Sequence, residues 1–257
     1  MTPKAKSNFI QSVDRALQIM EVFSSEKREL GVTEIAQSLG IHKSTVFGLL
    51  ATLENRGYVE QNLENGKYKL GLKLFELGNL VQEGMDLRSL AAPFIAELVD
   101  KYGETVHLVI HDKGEVVYID KRESLSNIRI LSRVGSRLPM HCTGVGKCLL
   151  AFMAEEDIQL VIKKGLRPFT PNTIIDAEKL KQELATIRNN GYAFDLEEIE
   201  MGLRCVAAPI KNHKGEVIAA ISLSGPSMRM DEEKMLQLIE PIKTAALKIS
   251  RSLGFQK

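Results

Sequence analysis

A glycine turn at residues 40–42 narrows the fold more than any other feature of this chain. Ile35, Ala36 and Leu39 predict a short helix, with Thr33 as its cap and Glu34 in its first turn. Gly40 ends that helix, because glycine takes the left-handed backbone at little cost. Only Ile41 and His42 then precede a second helix over residues 43–55. Two helices joined this tightly have helix-turn-helix spacing. In the second, Val46, Leu49, Leu50 and Leu53 recur at i, i+3, i+4 and i+7, which makes one buried face. The opposite face carries Lys43, Ser44, Thr45, Phe47, Gly48 and Thr52, small and polar near the helix start.

Flanking segments complete a domain. Residues 12–24 predict an earlier helix, with Ser12 as its cap and Val13, Ala16, Leu17, Ile19, Met20 and Phe23 as its apolar stripe. Beyond Gly57, residues 58–61 and 67–70 predict two strands joined through Asn65-Gly66, a strong hairpin signal. Three helices and a hairpin in this order predict a winged helix-turn-helix domain over residues 9–71. Residues 72–84 then predict a linker helix, apolar enough at Leu72, Leu74, Phe75, Leu77 and Val81 to need a partner chain.

Residues 85–257 have a different character. Leu87, Leu90, Phe94, Ile95 and Leu98 mark an amphipathic helix. Strands are predicted over 105–111, 115–120 and 128–132, and helices over 144–153, 155–164 and 176–190, the last capped by Asp176. A hairpin of 203–210 and 216–224 and a final helix capped by Asp231 complete the pattern. Strands and helices interleave with hairpins dominating, so the class is α/β (α+β) around a mostly antiparallel sheet.

Composition excludes several classes. With 44% hydrophobic and 26% charged residues, the chain is expected to fold as a soluble protein. It has no apolar run of about 18 residues, so no membrane span is expected, and its start lacks the apolar core of a signal peptide. Three cysteines, Cys142, Cys148 and Cys205, form no C-x-x-C pair, which argues against a disulfide framework and for the reducing cytoplasm. Net charge is +1, and residues 1–70 hold nine Lys/Arg against eight Asp/Glu. Bulk charge therefore gives no pull toward nucleic acid, and DNA binding has to rest on placement.

Placement does favour DNA. Side chains near the start of a recognition helix reach base edges in the major groove. Lys43, Ser44, Thr45 and Phe47 stand there, and Gly48 lets the backbone approach closely. Lys67 and Lys69 on the wing, with Arg15, are candidate phosphate contacts, which set position rather than sequence. The competing reading is a three-helix packing module without nucleic acid.

Two further runs carry chemistry. Residues 138–147 imitate a phosphate loop, but His141 stands where its first glycine belongs and Cys148 where Ser/Thr belongs. What survives is two glycines opening a helix, whose amides are suited to a small anion such as a carboxylate, or else a tight turn with no ligand. Ser222 and Ser224 share one face of a strand, and Leu203 and Cys205 share one face of its neighbour. If those faces coincide, thiol, hydroxyls and apolar walls meet in a site suited to a small polar acid.

Several segments together resemble the IclR family of bacterial transcription regulators. They are Val13-Asp14-Arg15-Ala16-Leu17, Lys43-Ser44-Thr45-Val46, Leu50-Ala51-Thr52-Leu53, Tyr68-Lys69-Leu70-Gly71, Leu138-Pro139-Met140-His141, Gly144-Val145-Gly146-Lys147, the run from Gly202 to Pro209, and the run from Ile221 to Pro226. The resemblance implies a C-terminal effector domain with a GAF-like sheet. It also implies homodimers that pair into homotetramers on palindromic operators in double-stranded DNA. Effectors of the family are mostly small organic acids or aromatic metabolites, and a sugar-acid breakdown product such as 2-keto-3-deoxygluconate is one expectation. Family effector contacts match Leu138, Gly144, Val145, Asp195, Leu203, Cys205, Ser222 and Ser224, with two more near Asn127 and Ile130. Many members have an arginine where this chain has Gly48, so no operator sequence is implied.

The leading expectation is an effector-controlled repressor without cofactor or metal. Its rival is a small-molecule-binding cysteine enzyme with an accessory DNA-binding domain, in which Cys205, His141 and Asp195 would act as thiol, base and orienter. A zinc site at His107, His141 and Cys205, and a redox switch at Cys142 or Cys148, are weaker alternatives.

Overall fold

The computed structural model describes residues 10–24, 26–83, 86–123 and 132–256. The chain divides into two compact units, residues 1–85 and 86–257.

The first unit runs α1 (Gln11–Glu21), α2 (Val32–Leu39), α3 (Lys43–Asn55), β1 (Val59–Gln61), β2 (Tyr68–Leu70) and α4 (Leu72–Glu83). Its core is built from the predicted stripes, with Ile19, Ile35, Val46, Leu50 and Val59 fully buried. Gly40 has φ 65°, which turns the chain from α2 into α3. The hairpin pairs Val59 with Leu70 and Gln61 with Tyr68, and Leu30 adds a bridge to Tyr68. Both expected caps are displaced. α1 begins at Gln11 behind Ile10, so Ser12 lies inside the helix, and no side chain caps it. α2 begins behind Gly31, whose amide donates to Glu34 Oε2 at 2.7 Å. Glu34 thus takes the capping role expected of Thr33.

The second unit runs α5 (Asp86–Tyr102), β3 (Thr105–Asp112), β4 (Glu115–Arg122), β5 (Arg137–Pro139), α6 (Gly144–Leu150), α7 (Glu155–Lys164), α8 (Ala177–Asn190), β6 (Ala193–Leu196), β7 (Leu203–Lys211), β8 (Val217–Pro226) and α9 (Glu232–Ser252). The strands form one antiparallel sheet in the order β5-β4-β3-β8-β7-β6. Helices α5 and α9 pack on one face and α6 on the other. Val109, Ala207 and Ala220 join the α6 side, packed with Val145, Leu149 and Leu184. Alternation leaves Ile221 and Leu223 on the opposite face.

Strands β5 and β6 are absent from the sequence reading, because three or four residues are too few to show a period of two. Helix α6 stops at Leu150, short of the expected residue 153. Of the strand expected at 128–132, only Ser132 lies among the described residues, and it belongs to no strand.

Gly144 lets α6 sit directly on the sheet, and Gly146 lets the loop before α6 fold tightly against it. A Cβ on Gly144 would stand 2.6 Å from Cys205 Sγ, and one on Gly146 would strike the Met140 backbone. The same helix buries Lys147, which is 1% exposed. Its ammonium donates to Glu198 and, at 3.2 Å, to Glu183. Burial opposes the charge on Lys147, but the two glutamates outweigh it and hold its pKa above the ordinary lysine value. Removing one partner of such a pair strands the other charge in the interior, a loss of about 3–5 kcal/mol. Lys147→Met is expected to lose stability on that scale in urea unfolding, and Lys147→Met/Glu198→Gln to recover most of it. Equal losses in both variants would mean that packing, not charge, is what Lys147 supplies.

Candidate functional site

Strand register assembles the C-terminal site. Asp195 on β6 pairs with Cys205 on β7, and Cys205 pairs with Ser224 on β8. Ser222 pairs with Ala207 on one side and with His107 of β3 on the other. The two faces left open by the sequence therefore coincide, and both turn toward α6. Between sheet and helix lies a cavity of about 220 Å³. Its lining includes Leu138, Gly144, Val145, Asp195, Leu203, Cys205, Ser222 and Ser224, so eight of the ten expected effector residues stand around one space. Asn127 and Ile130 lie outside the described residues.

Other lining residues escaped the sequence reading. The sequence offers His107 only as a candidate metal ligand and does not single out Tyr118, Ser132, Ser136, Thr143, Ile199 and Glu200. Parity with Val109 could have put His107 on the cavity face. Ser132, Ser136, Thr143, Ile199 and Glu200 carry no local signal, since they arrive from loops, whereas Tyr118 arrives from β4.

The polar floor is a hydrogen-bonded chain. Ser222 Oγ lies 3.3 Å from Ser224 Oγ, which lies 3.3 Å from His107 Nδ1. His107 Nε2 meets Ser132 Oγ at 2.7 Å, and the ring stands edge-on to Tyr118. Burial, aided by the Lys121 charge, pushes His107 down to about 3, so it is neutral at physiological pH. Asp195 is 2% exposed, and its Oδ1 accepts the Glu198 amide at 2.8 Å. Burial raises its carboxyl to about 7; the Glu198 charge adds to the rise, while that amide and Lys147 oppose it.

The start of α6 departs from expectation. Thr143 Oγ accepts the Gly146 amide at 3.1 Å, and the Gly144 amide reaches the Cys205 sulfur. Two of the amides expected to hold an anion are thus engaged within the fold, and the glycines serve close packing.

None of the thiols is activated. Burial pushes Cys142 up to about 12 and raises Cys148 and Cys205 further. Lys147, the cation beside Cys148 in sequence, is committed to its glutamates. His141 is absent from the cavity lining, and its Nε2 meets the Arg167 carbonyl at 3.0 Å. A Cys205–His141 nucleophile and base are therefore not assembled. Among the described residues, no three His, Cys, Asp or Glu side chains are grouped to hold a metal ion.

In the first unit, Lys43, Ser44, Phe47, Gly48 and Thr52 are exposed on α3, while Thr45 is half-buried. Phe47 is 60% exposed, unusual for an aromatic side chain with no internal role. The Thr52 hydroxyl donates to the Gly48 carbonyl at 3.0 Å. Arg15 is half-buried on α1. Each wing lysine has an acidic neighbour, Lys67 with Glu34 at 3.4 Å and Lys69 with Glu60 at 3.1 Å.

Asp195 makes stability depend on pH. The native carboxyl holds its proton more tightly than the unfolded chain, so its contribution is fully present below about pH 4 and is lost as pH rises through about 7. Asp195→Asn does not titrate and keeps an oxygen for the Glu198 amide. Thermal melts should show the variant gaining on the parent across this window, by on the order of a few kcal/mol. A difference that stays flat with pH would show that Asp195 titrates as an ordinary carboxylate.

Comparison with known proteins fits both units. Residues 12–63 match the family described as the IclR helix-turn-helix domain, and residues 80–251 match that described as the bacterial transcriptional regulator IclR C-terminal domain. The HTH-type transcriptional regulator XynR of Escherichia coli is 44% identical over 96% of this chain and 98% of its own. The HTH-type transcriptional repressor AllR of Escherichia coli is 36% identical over 96% of this chain and 91% of its own. The crystal structure of an IclR homolog from Microbacterium hydrocarbonoxydans, complexed with 4-hydroxybenzoate, superposes with a TM-score of 0.84 at 27% identity, over 94% of this chain and 98% of that one. With a helix-turn-helix and small wing sheet in one unit and a six-stranded antiparallel sheet in the other, the chain belongs to the IclR family of DNA-binding transcriptional regulators with an effector-binding C-terminal domain.

Proposed function

We propose that this regulator is a cytoplasmic repressor whose grip on a palindromic operator is set by a small carboxylate bound in the C-terminal cavity. The observation that carries this reading is the row Asp195–Cys205–Ser224, with Ser222 and His107 beside it, facing one cavity. A volume of about 220 Å³ suits a ligand of few heavy atoms. The bound 4-hydroxybenzoate of the Microbacterium relative, itself a carboxylate, supports the class, and the repressor AllR supports the sign of control. Leu138, Gly144, Val145 and Leu203 would form the apolar walls, and Asn127 and Ile130 are carried as further contacts. 2-Keto-3-deoxygluconate is one candidate effector.

On the DNA side, Lys43, Ser44, Thr45, Phe47, Gly48 and Thr52 would face the major groove, with Arg15, Lys67 and Lys69 near phosphates. A Cβ on Gly48 would meet nothing within 4 Å, so nothing inside the unit demands glycine there. Close approach of the duplex supplies a reason. Residues 9–71 would form the DNA-binding domain, 72–84 the linker helix and 85–257 the effector domain. Leu72, Phe75 and Leu80 are 64–70% exposed on α4, and Ile10, Val13 and Leu17 are at least half exposed at α1. Such apolar surface supports a second copy beside this unit, as a homodimer or homotetramer. Effector can shift operator affinity only by preferring one arrangement of that assembly.

Ser222→Ala/Ser224→Ala is expected to bind fragments of its own promoter like the parent in fluorescence anisotropy, and to lose the response to effector. Loss of DNA binding itself would assign the two serines a structural role. Gly48→Ala should stabilise α3 by about 0.5–1 kcal/mol and weaken operator binding at least several-fold. Unchanged operator affinity would remove α3 from close contact with the duplex.

A further inference from the structure

The cavity poses a charge problem for any anionic ligand. Among the described residues, no lysine or arginine lines it, while Asp195 and the exposed Glu200 do. Two ammonium groups act on the lining from behind, and both are engaged. Lys147 is held by Glu198 and Glu183, and Lys121 by Glu123 and the Ser132 carbonyl. Two of the α6 amides are already occupied. A carboxylate entering this space meets a buried acid rather than a cation.

Two carboxyl groups at hydrogen-bond distance in a low-dielectric site cannot both ionise, and the stable arrangement holds one proton between them. The local structure prepares Asp195 for this. Its Oδ1 is committed to the Glu198 amide at 2.8 Å, so the carboxyl is fixed in place. The groups that face or act on it from each neighbouring element are Cys205 on β7, Tyr118 on β4, His107 on β3, Lys147 on α6, and Cys142, Glu198 and Glu200 from loops. The thiols and the phenol stay protonated, His107 stays neutral, and Lys147 is balanced by its glutamates.

We propose that the effector binds as a carboxylate together with one proton from solvent, which Asp195 and the ligand carboxyl share. The inference rests on the carboxylate reading above and adds a proton count to it. Burial lifts Asp195 to about 7, so the proton is already present on part of the free protein near neutrality and must be taken up above it.

Calorimetric titration of the full chain decides the matter. The probes are pyruvate, 2-keto-3-deoxygluconate and 4-hydroxybenzoate, in buffer pairs of different ionisation enthalpy from about pH 6 to about pH 8.5. Binding should take up close to one proton per ligand at the alkaline end, and Kd should rise about tenfold per pH unit above 7. Asp195→Asn, whose amide donates without a titrating proton, should bind with no proton uptake, flat with pH, and more tightly than the parent at the alkaline end. Binding by the parent protein with no proton uptake overturns this inference and leaves the carboxylate effector standing. Failure of all three probes at millimolar concentration at the acid end, where the pair is protonated, overturns both. The proton count on the parent protein stands even if the variant does not fold.

Discussion

The antiparallel register of β8 between β3 and β7 is the constraint on which the C-terminal unit depends. It places Ser222 opposite His107 and Ala207, and Ser224 opposite Cys205. Because side chains alternate across a strand, the same register sends Ile221 and Leu223 to the opposite face of the sheet. A slip of one residue would turn the hydroxyls into that apolar layer and the aliphatics into the cavity. Core and site are therefore two consequences of one pairing.

Electrostatics then follow from how α6 is seated. Gly144 and Gly146 allow contact with Cys205 and Met140 that any Cβ would prevent. Lys147 on the same helix is buried, and Glu198 and Glu183 neutralise it. Glu198 also offers its amide to Asp195. The loop after β6 thus ties a buried ion pair to the acid in the cavity wall. Lys147 is consumed by this arrangement, and Asp195 is left as a buried carboxyl with a raised affinity for its proton. The site has a polar floor between apolar walls and no lysine or arginine among its described lining residues, which sets what it can recognise.

The first unit works by the opposite logic. Its core uses one face of each helix, and the exposed face of α3 presents Lys43, Ser44 and Phe47 away from that core. Phe47 outside and Gly48 against open space make poor sense as packing and good sense against a duplex. The wing lysines have carboxylate neighbours at the surface, where such pairs are weak and exchange readily for other anions.

Much of this was legible in the chain. Helical stripes, Gly40 and Asn65-Gly66 carried the first unit, because those signals span only a few residues and need no distant partner. Ser222 with Ser224, and Leu203 with Cys205, were readable as shared faces for the same reason. Their meeting was not, since register between strands depends on contacts far apart in sequence. Nor did periodicity disclose β5 and β6, which are too short, or Ser12 and Thr33 as failed caps, where the cap positions fall two residues earlier, at Ile10 and Gly31. The role of the α6 glycines was hidden as well: a glycine pair opening a helix looks the same whether its amides face a ligand or a neighbouring strand. The sequence by itself determined which elements form and which residues are polar or apolar on each, because those properties are local. Only the tertiary structure decided which polar groups share a cavity, which charges cancel, and which acid is left holding a proton, because burial and pairing are properties of the packed chain.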